Sequence, residues 1–272
     1  MNKMERQMVS ILEDLKENHF VVGVKAEFEA EGTRMEEAMR LKEVITTAGL
    51  ELTVKIGGGE AIKDMYDAKT LGVSRIVAPM IESPYAMIKF LKAADTVFSD
   101  IEECNVKYLI NVETKVAHHY FDEMIENAKG TCLAGIVLGR SDMSRSLGLT
   151  RDDVNCDKLF EIAEDISLKC KNNDLECIIG GGVSAHSLPF FRKLPKGALS
   201  RYETRKVIFK CPEALGPDSE AGILKAVGFE LMWLKNKRDF YGNIQMEDKN
   251  RIEMLEKQYK REIESVGGSV GV

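Results

Sequence analysis

Two acidic residues stand where apolar runs end. Glu113 closes the run Tyr108-Leu-Ile-Asn-Val-Glu113, and Asp142 lies in Leu138-Gly-Arg-Ser-Asp142, just past the run Leu133-Ala-Gly-Ile-Val-Leu138. If these runs are strands joined through helices, both carboxylates project from the same ends of neighbouring parallel strands. A few carboxylate oxygens suit Mg²⁺ or Mn²⁺, which leave their other positions to water and substrate. Each acid could equally be a helix N-cap, since the residue after a strand often supplies the capping oxygen.

Other candidates cluster at neighbouring run ends. Lys55 ends Leu50-Glu-Leu-Thr-Val-Lys55, where it can present a charge to an anionic substrate or simply reach solvent. Strand alternation in Val24-Lys-Ala-Glu-Phe-Glu-Ala-Glu31 puts Lys25, Glu27 and Glu29 on one face, as a structural ion pair or as part of a site. Gly139, Arg140 and Ser141 precede Asp142; Arg140 can clamp a carboxylate or point to solvent, and Arg205 can do the same or belong to a solvated charge cluster. Gly57-Gly-Gly59 and Gly180-Gly-Gly182 would let backbone line the mouth of a pocket. His118 and His119 point apart on a helix and read as surface residues, leaving His186 a minor acid/base candidate.

The hydrophobic period that positions these residues switches between two and about 3.6. Strands are expected at Phe20 to Phe28, Leu50 to Ile56, Arg75 to Met80, Lys107 to Val112, Leu133 to Leu138, Glu176 to Ile179, and within Ala198 to Phe209. Helical spacing between them includes Met35, Ala38, Met39, Leu41 and Ile45, and Leu159, Ile162, Ala163, Ile166 and Cys170. Such alternation leaves a (β/α)₈ barrel or an open doubly wound sheet. No Gly-x-Gly-x-x-Gly helix entry follows the first strand, and carboxylates at successive strand ends favour the barrel. Only seven strands are evident; the eighth is short, or hidden before Phe20. After about Asp218 the chain reads as helix, with Ile252, Leu255, Tyr259 and Ile263 on one face of its last stretch.

Three of the run ends carry a resemblance. Ile76-Val-Ala-Pro-Met-Ile-Glu-Ser83, Ile110-Asn-Val-Glu-Thr-Lys-Val-Ala117 and Gly135-Ile-Val-Leu-Gly-Arg-Ser-Asp-Met-Ser-Arg-Ser-Leu-Gly148 resemble consecutive strand-end motifs of the HpcH/HpaI aldolase and citrate lyase β-subunit family. The resemblance covers roughly Leu50 to Gly148. It implies a (β/α)₈ barrel of the phosphoenolpyruvate/pyruvate-binding type, with Glu113 and Asp142 as ligands of a divalent metal. Lys55 stands where that family usually has arginine, Arg140 where it commonly has proline, and no histidine occupies the first strand, where the family carries a catalytic one, so the resemblance leaves the base role to Glu27 or Glu29.

Composition limits the partners. With 272 residues, 30% charged and 44% hydrophobic, the chain is long enough for one large α/β domain. A net charge of −6 with interspersed basic residues argues against nucleic acid and for a small-molecule substrate, which the resemblance makes a carboxylate. No apolar run spans a bilayer, which fits a cytoplasmic protein. The cysteines at 104, 132, 156, 170, 177 and 211 lack metal-site spacing and read as packed, reduced thiols, with a reactive thiol at Cys177 the lesser option.

The expectation is therefore a barrel over 1–240, a C-terminal helix over 241–266 that could serve as an arm for homo-oligomers, and a loose tail at 267–272. Its function would be Mg²⁺- or Mn²⁺-dependent cleavage or formation of a carbon–carbon bond beside a 2-oxo acid through a metal-stabilised enolate. A CoA-thioester lyase of the citrate or malyl type, a Schiff-base aldolase using Lys25 or Lys55, and a non-catalytic binding or assembly barrel are the alternatives.

Overall fold

A computed structural model describes residues 1–98 and 106–269, so Cys104 and the end of the expected tail lie outside the described residues. Eight strands close a barrel in chain order. They are β1 (Val21–Glu27), β2 (Glu51–Lys55), β3 (Arg75–Ala78), β4 (Lys107–Val112), β5 (Leu133–Gly139), β6 (Glu176–Gly180), β7 (Arg201–Glu203) and β8 (Val207–Lys210). Helix α1 (Lys3–His19) precedes β1, and α2 (Met35–Thr47) to α9 (Leu188–Lys193) fall between β1 and β7. The last helix, α10 (Ser219–Ser265), follows β8.

Local chemistry accounts for the helices. Asn2 and Glu5 close a reciprocal capping box at the start of α1, which satisfies two backbone donors that the helix leaves open. In α8 (Asp157–Asn172), Leu159, Ile162, Ala163, Ile166 and Cys170 are all buried, as their spacing requires. In α2 the stripe is narrower than expected: Ala38, Leu41 and Ile45 are buried, but Met39 is exposed.

Strands β1 to β7 pair in parallel, whereas β8 runs antiparallel to both β7 and β1. The eighth strand is thus not before Phe20, where α1 lies. It is the second half of the Ala198 to Phe209 stretch, turned back on the first through Thr204, Arg205 and Lys206. The Thr204 backbone N–H donates to the Val207 carbonyl (2.9 Å), and the Val207 N–H donates to Thr204 Oγ1 (3.1 Å). A hairpin replaces the expected strand, helix, strand crossover.

Register assigns the barrel interior in layers. Pairing of Lys25 with Thr53, Thr53 with Arg75, and Arg75 with Lys107 sets one parity, and side chains of that parity face inward. At the N-terminal ends of the strands, Arg75, Lys107 and Arg201 surround Glu176, with Arg75 Nη1 at 2.9 Å and Lys107 Nζ at 2.6 Å from its carboxylate. The next layer is apolar: Val77, Leu109, Val137 and Ile178 form one buried cluster. Above it, at the C-terminal ends, the same parity brings in Lys25, Glu27, Lys55, Asn111, Gly139, Gly180 and Glu203. The apolar layer separates two charged ones, and the upper one opens on a cavity.

Met1–Glu230 form one compact unit and Leu231–Val272 a second. In the second, α10 continues to Ser265, and Ile252, Leu255 and Tyr259 are exposed. Among the described residues no helix is long and apolar enough to cross a membrane.

Candidate active site

A cavity of about 500 Å³ occupies the C-terminal mouth of the barrel. Glu113, at the end of β4, and Asp142, in the helix α7 (Arg140–Ser146) that follows β5, both line it. Glu113 is buried, while the Asp142 side chain is half exposed. Burial pushes the Glu113 carboxyl above its ordinary value, Lys55, Asn111 and the Met80 N–H oppose that, and the Asp142 charge adds to it. Neither residue's oxygens accept an N-terminal N–H of the following helix in the manner of a cap; Thr114 caps α5 (Lys115–His119) instead.

Three groups orient Glu113. The Met80 N–H donates to Oε1 (3.1 Å), and Met80 reaches it with a left-handed φ of 51°. Asn111 Nδ2 donates to Oε2 (2.7 Å), and Lys55 Nζ lies 3.7 Å from Oε1. Gly139 makes room: a Cβ there would stand 2.6 Å from Glu113 Oε2, so a side chain would displace the carboxylate. Lys55 also pairs with Glu29 at 2.9 Å, which joins the first and second strands' charges to the Glu113 side of the cavity.

A second ion network lies across the mouth. Lys25 Nζ is 2.5 Å from Glu203 and 3.2 Å from Glu27, and Arg205 bridges Glu27 (3.2 Å) and Glu31 (3.1 Å). Lys206 also pairs with Glu31. Burial alone would lower the Lys25 pKa, but Glu203 and Glu27 hold its ammonium above the ordinary range. Burial likewise opposes the Glu27 charge, yet Lys25 and Arg205 outweigh it and keep that carboxyl low.

Lys55, Glu27, Glu29, Gly139, Ser141, Arg205, Glu113 and Asp142 thus all line one cavity. Arg140 does not. Its side chain is fully buried, and its guanidinium donates to the carbonyls of Gly180 (3.2 Å), Gly181 (3.0 Å) and Val154 (3.3 Å), to Asn155 Oδ1 (2.7 Å) and to Ser187 Oγ (3.2 Å). It also lies over the Phe190 and Phe191 rings. With its donors spent on these acceptors it is neither a substrate clamp nor a solvated arginine, and burial lowers its pKa. Gly181, at φ 79°, packs so closely that a Cβ would come within 2.5 Å of the Ser141 nitrogen.

Other expectations divide similarly. Gly180 to Gly182 line the cavity; Gly57 to Gly59 do not, and the Gly57 N–H is committed to Asp64 (2.7 Å). His186 is outside the lining, and His118 pairs with Asp165 at 3.1 Å on the helical surface. Cys177 is buried, outside the cavity lining. Asn111, Arg145, Arg151, Glu203, Thr204 and Glu230 line the cavity without having been singled out. Asn111 carried a signal, because it lies two residues before Glu113 on the same strand face.

The donor set fits a hard divalent cation. Among the described residues no group of three or more His, Cys, Asp or Glu surrounds a common point. Two carboxylates facing one cavity leave most positions to water and a chelating substrate, as Mg²⁺ and Mn²⁺ prefer. The buried Asn111 Oδ1, which has no hydrogen-bond partner, adds an oxygen beside Glu113.

The family model described as HpcH/HpaI aldolase/citrate lyase matches residues 26–184. An HpcH/HpaI aldolase/citrate lyase family protein from Burkholderia cenocepacia J2315 superposes with a TM-score of 0.55 at 14% identity, over 71% of this chain and 89% of its own. An HpcH/HpaI aldolase from Desulfitobacterium hafniense DCB-2 gives 0.55 at 13%, over 68% and 78%. A variant of the citrate synthase SbnG gives 0.55 at 13%, over 85% and 90%. At such identities these structures speak for the fold. No curated protein matches the chain.

Proposed function

Because the chain belongs to the HpcH/HpaI aldolase/citrate lyase family, we propose that its mouth cavity cleaves or forms a carbon–carbon bond next to a 2-oxo acid. The observation that carries this is the meeting of Glu113, Asp142 and Lys55 around one cavity, two carboxylates with a cation beside them. Glu113 and Asp142 would hold Mg²⁺ or Mn²⁺. Bound there, the cation would act as a Lewis acid for the carboxylate and keto oxygens of the 2-oxo acid and offset the negative charge that bond cleavage leaves on them.

The chain's own residues supply the rest. Asn111 and the Met80 N–H fix the Glu113 carboxylate, so its orientation precedes binding. Lys55 offers positive charge to the substrate carboxylate, without the planar fork of an arginine. Glu29 is the better base. Its side chain is 31% exposed and, among the described residues, held only at Lys55, whereas Glu27 is clamped between Lys25 and Arg205. In the cleavage direction Glu29 takes the proton of the hydroxyl on the carbon at the far end of the bond that breaks, and can return it to the carbon left behind. The aldehyde carbonyl forms there, the bonding pair moves toward the keto group, and the carbon left behind is reprotonated to give the smaller 2-oxo acid.

The Schiff-base alternative needs a neutral amine. Lys25 is held as an ammonium by two carboxylates, which counts against it. Aldol cleavage of a 4-hydroxy-2-oxo acid tests the choice. Activity is expected to vanish in EDTA, return with Mg²⁺, and survive borohydride. Borohydride trapping of substrate on Lys25 or Lys55, with activity intact in EDTA, would overturn the metal reading.

A further inference from the structure

Two of the buried thiols meet across a helix and a strand. On β6 the inward parity belongs to Glu176, Ile178 and Gly180, so Cys177 faces outward, toward the helices. On α8, which packs on β6, Cys170 ends the buried stripe that faces the barrel. Both side chains are fully buried, and the Cys170 and Cys177 thiols are hydrogen-bonded to each other. Both are free, and neither lines the mouth cavity. Two sulfur atoms held this close, on a helix and the strand beneath it, need little movement to become a disulfide.

The closed structure protects the pair. The hydrogen bond to Cys177 and burial push the Cys170 thiol well above its ordinary value, and the thiolate is the reactive form. The segment that covers it is the weak point. Cys170 stands in the last turn of α8, where its carbonyl accepts the N–H groups of Asn173 (3.1 Å) and Leu175 (3.0 Å). Lys171 and Asn172 are exposed, and Asp174 takes a left-handed φ of 56° that favours glycine. Helix ends open far more often than the whole fold does, so fraying here uncovers Cys170 while β6 stays paired to β5 and β7.

We propose that Cys170 and Cys177 form a reversible disulfide, an oxidation-dependent clip that fastens the end of α8 to β6. The oxidant is a hydroperoxide. In the frayed state the Cys170 thiolate attacks one peroxide oxygen, the O–O bond breaks, and the departing hydroxide takes up the thiol's proton to become water. The Cys177 sulfur then attacks the Cys170 sulfenic acid: the S–S bond forms, the S–O bond breaks and a second water leaves. The two thiols lose two electrons, and the peroxide gains them. The clip closes only the short loop from Cys170 to Cys177 and is independent of the metal reading.

Hydrogen peroxide treatment of the native full chain tests it, followed by blocking of the remaining thiols, proteolysis and mass spectrometry. The expected product is a Cys170 to Cys177 cross-link that dithiothreitol reverses. In the oxidised form Tm is expected to rise by about 5 °C, and amide exchange from Lys171 to Leu175 to slow about tenfold. Cys170→Ala is expected to lose both changes. Peroxide that oxidises the exposed Cys132 but leaves Cys170 and Cys177 as thiols would overturn the proposal, as would a cross-link that alters neither Tm nor the exchange of this turn. The decisive comparison is between oxidised and reduced wild type, so it stands whether or not the variant folds.

Discussion

Lys55 is the residue with the most divided role. Its ammonium sits 2.9 Å from Glu29 and 3.7 Å from Glu113, so it competes with any cation on that carboxylate and attracts any anion that arrives with it. Lys55→Met is therefore expected to move two affinities in opposite directions. Mn²⁺ binding should tighten a few-fold, and oxalate binding to the Mn²⁺-loaded protein should weaken on the order of tenfold. Isothermal titration of each ligand would check it; both affinities moving together would show that Lys55 does not face the two as described. Among single residues, Glu113, Asp142 and Lys55 could be read from where apolar runs stop. Arg140 could not, because the acceptors that bury it come from Gly180, Gly181 and Ser187, far along the chain. Arg151 carried no signal in the sequence at all, since nothing in its neighbours shows which wall of the cavity it joins.

At the scale of elements, the first six strands were legible because each pairs an apolar run with a turn or a cap. The β7 and β8 hairpin was not. Its three-residue turn contains no Gly, Pro or Asn, so nothing interrupts the run that spans both strands. The elements are tied at their lower ends by Glu176 of β6, which faces Arg75 of β3, Lys107 of β4 and Arg201 of β7. Burial opposes the Glu176 charge, but Lys107, Arg75 and Arg201 outweigh it and depress the carboxyl below its usual 4.5. A lowered carboxyl stabilises the fold above its unfolded value and loses that contribution as pH falls through the folded one. Glu176→Gln, which removes the carboxylate that Arg75, Lys107 and Arg201 share, is expected to cost about 2 kcal/mol at neutral pH. Thermal melts of the two proteins should converge as pH drops below 4.5. A constant difference across that window would show that Glu176 does not act through its charge.

For the whole molecule, the chain closes a barrel whose charged upper layer borders a cavity, and then continues as a 47-residue helix. The exposed Ile252, Leu255 and Tyr259 of that helix bear on subunit number. Burying such a stripe against a second copy is the expected reason for its apolar character. Sedimentation should give an oligomer for the full chain and a monomer for the Ile252→Lys, Leu255→Lys, Tyr259→Lys triple variant, with Mn²⁺ affinity unchanged. A monomeric wild type would remove that role.

The carboxylate pair at the barrel mouth is met most directly by Mn²⁺ titration followed by electron paramagnetic resonance. Wild type is expected to bind one Mn²⁺ per chain, with oxalate altering the signal, and Glu113→Gln and Asp142→Asn are each expected to weaken binding at least about tenfold. Equal Mn²⁺ affinity in all three proteins would contradict the metal site and leave only the barrel standing.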